Sequence, residues 1–325
     1  MTEPSSKKAP LASIITLTYN RRDSLLRLLR ARQAQDLADR EIIVVDNASE
    51  DGTAEAVLEA QPNVRLIRCP ANLGAVAYGF GIANARGRYL LMIDDDGLPD
   101  AADWASRIVS RLQANPRLAV AACLVRMADT GQVAPDSPQF LIEGVSESGF
   151  PAASHNGTGV AMRAQALREV HGYTPLDYFM SWEELHLCTR LLGAGWQVRC
   201  FPEIEVWHCR ASRTVPPAHT YLGVRNYLWY VWSLYPWPYC MWETLHAVGS
   251  GLRLTMQGRL RARVWLSALC GALYGWQRIR SQRHPVSPET IKRLRLLRRQ
   301  GHTHAAVPTF REFPSIDPAL GDATP

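Results

Sequence analysis

A chain of 325 residues, 47% hydrophobic and 20% charged, has the make-up of a packed globule, which excludes a disordered or low-complexity protein. Its net charge of +6 is unevenly placed: residues 1–250 hold 23 Lys/Arg against 26 Asp/Glu, whereas residues 251–300 hold 12 against the single Glu289. Seven cysteines with no CxxC pair exclude a disulfide scaffold and predict reduced, mostly buried thiols in a cytosolic setting.

Residues 1–12 read as a flexible N-terminus without the apolar stretch of a signal peptide. Ser13–Tyr19 (SIITLTY) is a β-branched run that predicts a buried strand, and Asp23 or Ser24 then caps a helix with Leu25, Leu28 and Leu29 at helical spacing. Glu41–Val45 (EIIVV) predicts a second strand ending at Asp46, Thr53–Ala60 a helix, and Val64–Arg68 a third strand. Residues 74–85, small and apolar, predict a tightly packed helix; Tyr89–Ile93 (YLLMI) predicts a fourth strand running into three aspartates. This strand–helix rhythm argues for a doubly wound α/β domain with a mainly parallel sheet, in which ligands sit beyond the carboxyl ends of the strands. Thr18-Tyr19-Asn20, Asp46-Asn47 and Asp94-Asp95-Asp96 all follow strands, so they are expected to converge on one crevice.

Further along, Trp104–Leu112 predicts a helix, Leu118–Val125 and Gly157–Met162 predict strands, and Glu183–Leu192 predicts a helix. Residues 128–156, rich in Pro, Ser and Gly, read as a long loop or lid. Residues 216–300 form a helical, aromatic and then basic region, and 301–325 a flexible tail.

Adjacent carboxylates at a strand end suit a hard divalent cation such as Mg²⁺ or Mn²⁺ shared with substrate phosphates. In an extended strand Asp94 and Asp96 point one way and Asp95 the other, which favours Asp94 and Asp96 at the ligand, with Asp96 on the metal. The alternative is a solvated acidic turn leading into the next helix, where Asp100 or Asp103 could serve as cap.

TLTYNR (16–21), EIIVVDNASEDGT (41–53), NLGAVAYGFGIANARGRYLLMIDDDGLP (72–99) and WEELHLCTRLLGAGW (182–196) together resemble glycosyltransferase family 2. The resemblance covers roughly residues 13–230. It implies a GT-A fold in a catalytic domain over 13–215 and an inverting sugar transfer like that of bacterial rhamnosyl- and galactofuranosyltransferases. It also implies a UDP- or dTDP-sugar donor, and a glycan or lipid-linked acceptor at the inner face of the membrane. Thr18, Tyr19 and Asn20 match the family's first nucleotide loop, Asp46 the acid that meets the base, and Asn72 a position beside the diphosphate and sugar. Asp94, Asp95 and Asp96 match the DxD motif. Glu184 matches the catalytic base and Glu183 its neighbour, in the first turn of a helix whose dipole favours the ionised form. The family usually carries Glu-Asp or Asp-Asp there, and His186 stands where an acid is usual. His208 matches a histidine that ligates the metal beside the carboxylates. Arg225-Asn226 resembles an RN pair of the family, and Arg213 or Arg225 could meet phosphate.

The aromatic and basic tail suits an anionic membrane surface, with core cover or an oligomer face as the alternative. Nucleic acid is not expected, since no nucleic-acid motif accompanies the charge. Competing readings of the whole are a nucleotide-sugar-binding protein without transferase activity and a nucleotidyltransferase. The second usually opens on a Gly-rich basic loop, and TLTYNRRDS contains no glycine.

Overall fold

The computed structural model describes residues 9–33, 35–134, 149–174, 176–209 and 217–299. The expected flexible tail, most of the N-terminus, the middle of the 128–156 loop and Arg213 lie outside them.

Strands β1 (Ala12–Thr18), β2 (Arg40–Asp46), β3 (Arg65–Arg68) and β4 (Tyr89–Met92) form a parallel block in the order β3-β2-β1-β4. β1 and β2 are largely buried β-branched runs, as strands covered on both faces must be. Their register pairs Thr18 with Asp46, so the loops after them leave the same edge of the sheet. Helices α1 (Arg22–Gln33), α2 (Thr53–Ala60) and α3 (Tyr78–Asn84) make the crossovers. The helix expected over 74–85 begins as a 3₁₀ turn, Gly74–Ala77, before α3. Its small residues bring it flat onto the sheet: a Cβ on Gly81 would stand 2.5 Å from the Ile15 side chain.

β5 (Gly97–Pro99), α4 (Trp104–Ala114), β6 (Leu118–Met127), β7 (Phe150–Pro151), β8 (Val160–Arg163), α5 (Ala164–Glu169), α6 (Glu183–Gly193) and β9 (Gln197–His208) complete the α/β part. The nine-stranded sheet continues β4-β8-β6-β9-β5, with β7 also on β9. β6 runs parallel to β9, but β8 is antiparallel to both β4 and β6, and β5 and β7 are antiparallel to β9. Inserting a reversed β8 brings the beginning of that strand to the edge where β4 ends. Pairing β5 with β9 sets Gly97 opposite His208.

The C-terminal helices are α7 (Pro217–Leu234), α8 (Trp237–Met256), α9 (Ala262–Tyr274), α10 (Trp276–Ser281) and α11 (Pro288–Arg299). Pro236 and Pro238 separate α7 from α8, because proline suits a helix start and not its interior. One buried cluster runs from Ile15 and Val45 through Trp182 to Tyr230, Leu254 and Leu297, so these helices share a core with the sheet. Among the described residues, no helix is long and apolar enough to cross a membrane.

Candidate active site

A cleft of about 610 Å³ opens at the edge where β1 and β4 end. Its floor is Asp94-Asp95-Asp96. These residues are not extended: the Gly97 amide donates to the Asp94 carbonyl at 3.0 Å, closing a reverse turn directly after β4. The alternation of an extended strand therefore does not sort the three side chains; their partners do. Asp94 accepts from the Tyr78 hydroxyl at 2.7 Å and the Thr158 hydroxyl at 3.1 Å. Asp95 accepts from the Thr18 hydroxyl at 2.8 Å, and Arg21 bridges Asp95 and Asp96 at 3.0 and 2.6 Å. The Asp96 carbonyl receives the Cys209 amide at 2.7 Å, fastening the acidic turn to the end of β9. That strand end presents His208 Nε2 3.3 Å from the Asp96 carboxylate. Asp94, Asp96 and His208 each offer a ligand atom, and the three atoms lie within 4.8 Å of one another. Two hard oxygens and an imidazole nitrogen at that spacing fit a divalent cation.

The surroundings hold the three carboxyls apart electrostatically. Burial, then the charge of Asp96, raise the Asp94 pKa. Burial pushes Asp95 up to about 6 against the pull of Arg21 and Thr18. Burial acts on Asp96 in the same upward direction, but His208 and Arg21 outweigh it and hold this carboxyl below its ordinary range. Asp96 is thus the member best kept ionised for a cation.

Across the cleft stand Glu183 and Glu184, the first residues of α6. Glu184 is half-buried, whereas Glu183 is buried with one carboxylate oxygen lacking a hydrogen-bond partner. Burial pushes Glu183 up to about 7, the charge of Asp94 adding to the shift. Gly157 lies between the two acidic groups: a Cβ there would stand 3.5 Å from Glu184 Oε1 and 4.0 Å from Asp94 Oδ1. The floor therefore has room for a reacting group between metal ligands and candidate base.

The segment leading into α6 is strained. Phe179, Ser181 and Trp182 have φ of 61°, 68° and 79°, a region that costs a non-glycine residue about 1–2 kcal/mol. Asn226 of α7 holds it, donating from Nδ2 to the carbonyls of Tyr178, Met180 and Ser181 at 2.8, 2.7 and 3.1 Å. Arg225 donates to the Asp177 and Tyr178 carbonyls at 3.0 and 3.2 Å and lies over the Trp229 ring. The Arg225 guanidinium, expected either at phosphate or as a surface cation, is engaged with this loop and with an aromatic face and does not line the cleft. From the other side, the Ala75 amide donates to the Phe179 carbonyl at 2.6 Å.

Thr18, Tyr19 and Asn72 line the cleft, and Asn72 is locked by Asn47 at 2.9 Å. Two expected nucleotide residues do not line it. Asn20 faces the neighbouring loop, accepting from the Glu50 amide at 2.8 Å. Asp46 is fully buried behind the wall, accepting from the Ser49 amide at 2.9 Å, with Arg68 3.4 Å from its other oxygen. His186 is also buried in the core, edge-on to Tyr178 at 5.5 Å. The described end of the expected lid is not a lid: residues 152–156 are buried, and His155 and Asn156 form cleft wall. Burial drives His155 down to about 4, and neither ring nitrogen finds a hydrogen-bond partner. Sequence reasoning did not single out Arg21, Tyr78, His155 or Thr158. The isolated hydroxyl in the apolar stretch 74–85 and the polar run before β8 were the available signals.

A mixed sheet with an acidic turn at the end of β4, a histidine returning from β9 and a facing carboxylate pair has the GT-A architecture of solved glycosyltransferases. Residues 13–170 match the model of Glycosyl transferase family 2. The chain is similar to the N-acetylglucosaminyl-diphospho-decaprenol L-rhamnosyltransferase of Mycobacterium tuberculosis, with 26% identity over 257 residues covering 67% of this chain and 82% of that protein. Among solved structures it resembles GalNAc-T7 with UDP, GalNAc and Mn²⁺ (TM-score 0.57, 14% identity, 71% of this chain, about half, 49%, of that one). It also resembles the mannosyltransferase PcManGT of Pyrobaculum calidifontis in complex with GDP-Man and Mn²⁺ (TM-score 0.54, 18% identity, 94% of this chain and 88% of that one).

Proposed function

We propose that this glycosyltransferase is metal-dependent and inverting, and moves a sugar from a UDP- or dTDP-sugar to a hydroxyl of a lipid-linked or cell-surface glycan acceptor. The observation that carries the reading is the Asp94–Asp96–His208 cluster facing Glu184 across Gly157. Asp94, Asp96 and His208 would hold Mn²⁺ or Mg²⁺, and the solved structures it resembles carry Mn²⁺ with UDP or GDP-Man. Such a cation, when bound, supplies charge stabilisation to a departing diphosphate. The chain's own residues do the rest. Tyr78 and Thr158 fix the Asp94 carboxylate, and Arg21 orients Asp95 and Asp96. Thr18, Tyr19 and Asn72 receive the nucleotide-sugar, with Asn20 bracing the first loop from behind. Asp46 is the acid proposed for the base, which it would reach only with Arg68 displaced from its Oδ2. Glu184 takes the proton of the acceptor hydroxyl as that oxygen attacks the sugar from the face opposite the diphosphate, so no covalent sugar–enzyme bond forms and the anomeric centre inverts. Glu183, buried beside it, positions Glu184 and the reacting hydroxyl.

A lipid-linked acceptor, and with it a place at a membrane surface, is supported by the decaprenol named in the mycobacterial relative. The test is a panel of nucleotide-sugars with and without Mn²⁺, scored by thermal stabilisation and by transfer to a polyprenyl-diphosphate-linked sugar. Stabilisation and transfer with a UDP- or dTDP-sugar, giving an inverted anomer by NMR, are expected. Retention of configuration, or transfer undiminished by EDTA, would overturn the corresponding part of the reading.

A further inference from the structure

Among the described residues, nine of the thirteen large apolar side chains that stand exposed lie on α8 and α9. On α8 the buried positions are Cys240, Ala247, Gly251 and Leu254, which the 3.6-residue period places on one face. Trp237, Met241, Trp242, Leu245, Leu252 and Met256 fall on the other, and Met256 is 80% exposed. This stripe runs the length of a 20-residue helix, about 30 Å. α9 repeats the pattern: Trp265, Ala268 and Ala272 are buried while Leu266, Leu273 and Tyr274 project outward, the last 95% exposed. Apolar surface of this extent on a water-soluble face marks an interaction site.

The charges beside it identify the partner. Arg253, Arg259, Arg261 and Arg263 are all exposed at the end of α8 and the start of α9. From residue 237 to residue 281 the one acidic residue is Glu243. It is half-buried and engaged by Arg295 at 2.9 Å and the Tyr227 hydroxyl at 2.8 Å. A second copy of the chain docked symmetrically on this face would set arginines against arginines. An anionic bilayer answers both halves of the pattern: its headgroups meet the arginines, while Trp, Leu and Met enter the acyl boundary.

We propose that the outward faces of α8 and α9 form a membrane-docking surface that seats the enzyme on anionic lipid. This deepens the membrane-facing part of the proposed function and rests on it for its purpose, but lipid binding itself does not require the transfer chemistry. The full chain is tested by flotation with vesicles of phosphatidylcholine alone or mixed with phosphatidylglycerol. Four arginines near the surface predict binding to the anionic vesicles at least about tenfold tighter than to neutral ones. The triple variant Met241→Ser, Trp242→Ser, Leu245→Ser changes exposed side chains only. It is expected to weaken anionic-vesicle binding at least about tenfold while the melting temperature and stabilisation by nucleotide-sugar stay unchanged. Three results would overturn the proposal: no binding by the unmodified chain, equal binding by the variant, or a concentration-dependent dimer in gel filtration that the three substitutions abolish. The last would assign the face to a second copy. Vesicle binding without sugar transfer would leave this surface standing and count against the enzymatic reading alone.

Discussion

Replacing Asn226 by Ala removes the amide that bonds the carbonyls of Tyr178, Met180 and Ser181 at 2.8, 2.7 and 3.1 Å. The side chain is fully buried, and its two amide hydrogens satisfy at least two of the three acceptors. The Tyr178 carbonyl keeps the Arg225 guanidinium and the Met180 amide, so the Met180 and Ser181 carbonyls lose this partner at about 1–3 kcal/mol each, roughly 2–6 kcal/mol of restraint. The three left-handed residues it restrains hold about 3–6 kcal/mol of conformational strain. The two quantities are of the same order, and without the clamp the loop is expected to relax toward ordinary backbone angles. The remaining holds are the Arg225 bonds to the Asp177 and Tyr178 carbonyls, the Ala75–Phe179 backbone bond and the packing of the Trp182 ring on Tyr230, 5.7 Å between centroids. They keep the loop attached but do not fix the first turn of α6. A displaced Glu184 corresponds to a loss of about 10–100-fold in kcat, or about 1.4–2.7 kcal/mol of the barrier. The donor contacts proposed above come from Thr18, Asn72 and the acidic turn rather than from this loop, so the donor KM should change less than about threefold. Steady-state kinetics with varied donor, alongside a melting curve, make the measurement. A variant with a lowered melting temperature but unaltered kcat would show that Asn226 stabilises the fold without placing the base. A raised donor KM at constant kcat would refute the reasoning from the other side.

Three further outcomes are expected. Asp96→Ala removes the carboxylate that His208 and Arg21 share, and should lower transfer by about 10³-fold, several kcal/mol of charge stabilisation; calorimetric titration with Mn²⁺ should lose its signal, and full activity would exclude Asp96 as ligand. Glu184→Gln should lower kcat by about 10²–10⁴-fold with donor-induced thermal stabilisation intact; collapse of donor binding would mean that Glu184 is not simply the base. Burial raises Glu183 from its ordinary 4.5 to about 7. The folded state therefore binds the extra proton between those values, and stability should fall as pH rises through that window. Glu183→Gln, measured in EDTA by urea unfolding, should gain about 3 kcal/mol relative to the unaltered chain between pH 5 and pH 8; parallel pH profiles would rule out a buried, protonated Glu183.

The first half of the fold was legible because its strands are continuous β-branched runs ended by polar clusters, and the structure places them with ends moved by one or two residues. β5 and β7 were not legible: three and two residues long, they are strands only because β9 lies alongside. Neither was the direction of β8, since Val160–Arg163 is fully buried and carries no mark of which way it runs. That direction hid part of the site. An all-parallel sheet sends the start of β8 to the far edge; the reversed strand delivers Gly157 and Thr158 to the end of β4, where Thr158 reaches Asp94 at 3.1 Å.

The pairing of Asp94 and Asp96 shows how a correct-looking selection can rest on the wrong local geometry. Strand alternation singles out this pair, yet the residues lie in a turn, where alternation has no meaning. What brings them together is long-range: Tyr78 from α3 and Thr158 from before β8 hold Asp94, while β9 brings His208 to Asp96. No sequence window contains all of these. The same holds for Asn226, which acts on a loop more than forty residues upstream through its carbonyls. Backbone acceptors are present in every residue and leave no trace in side-chain pattern. A buried asparagine at 0% exposure inside an aromatic helix was the local sign that such partners had to exist.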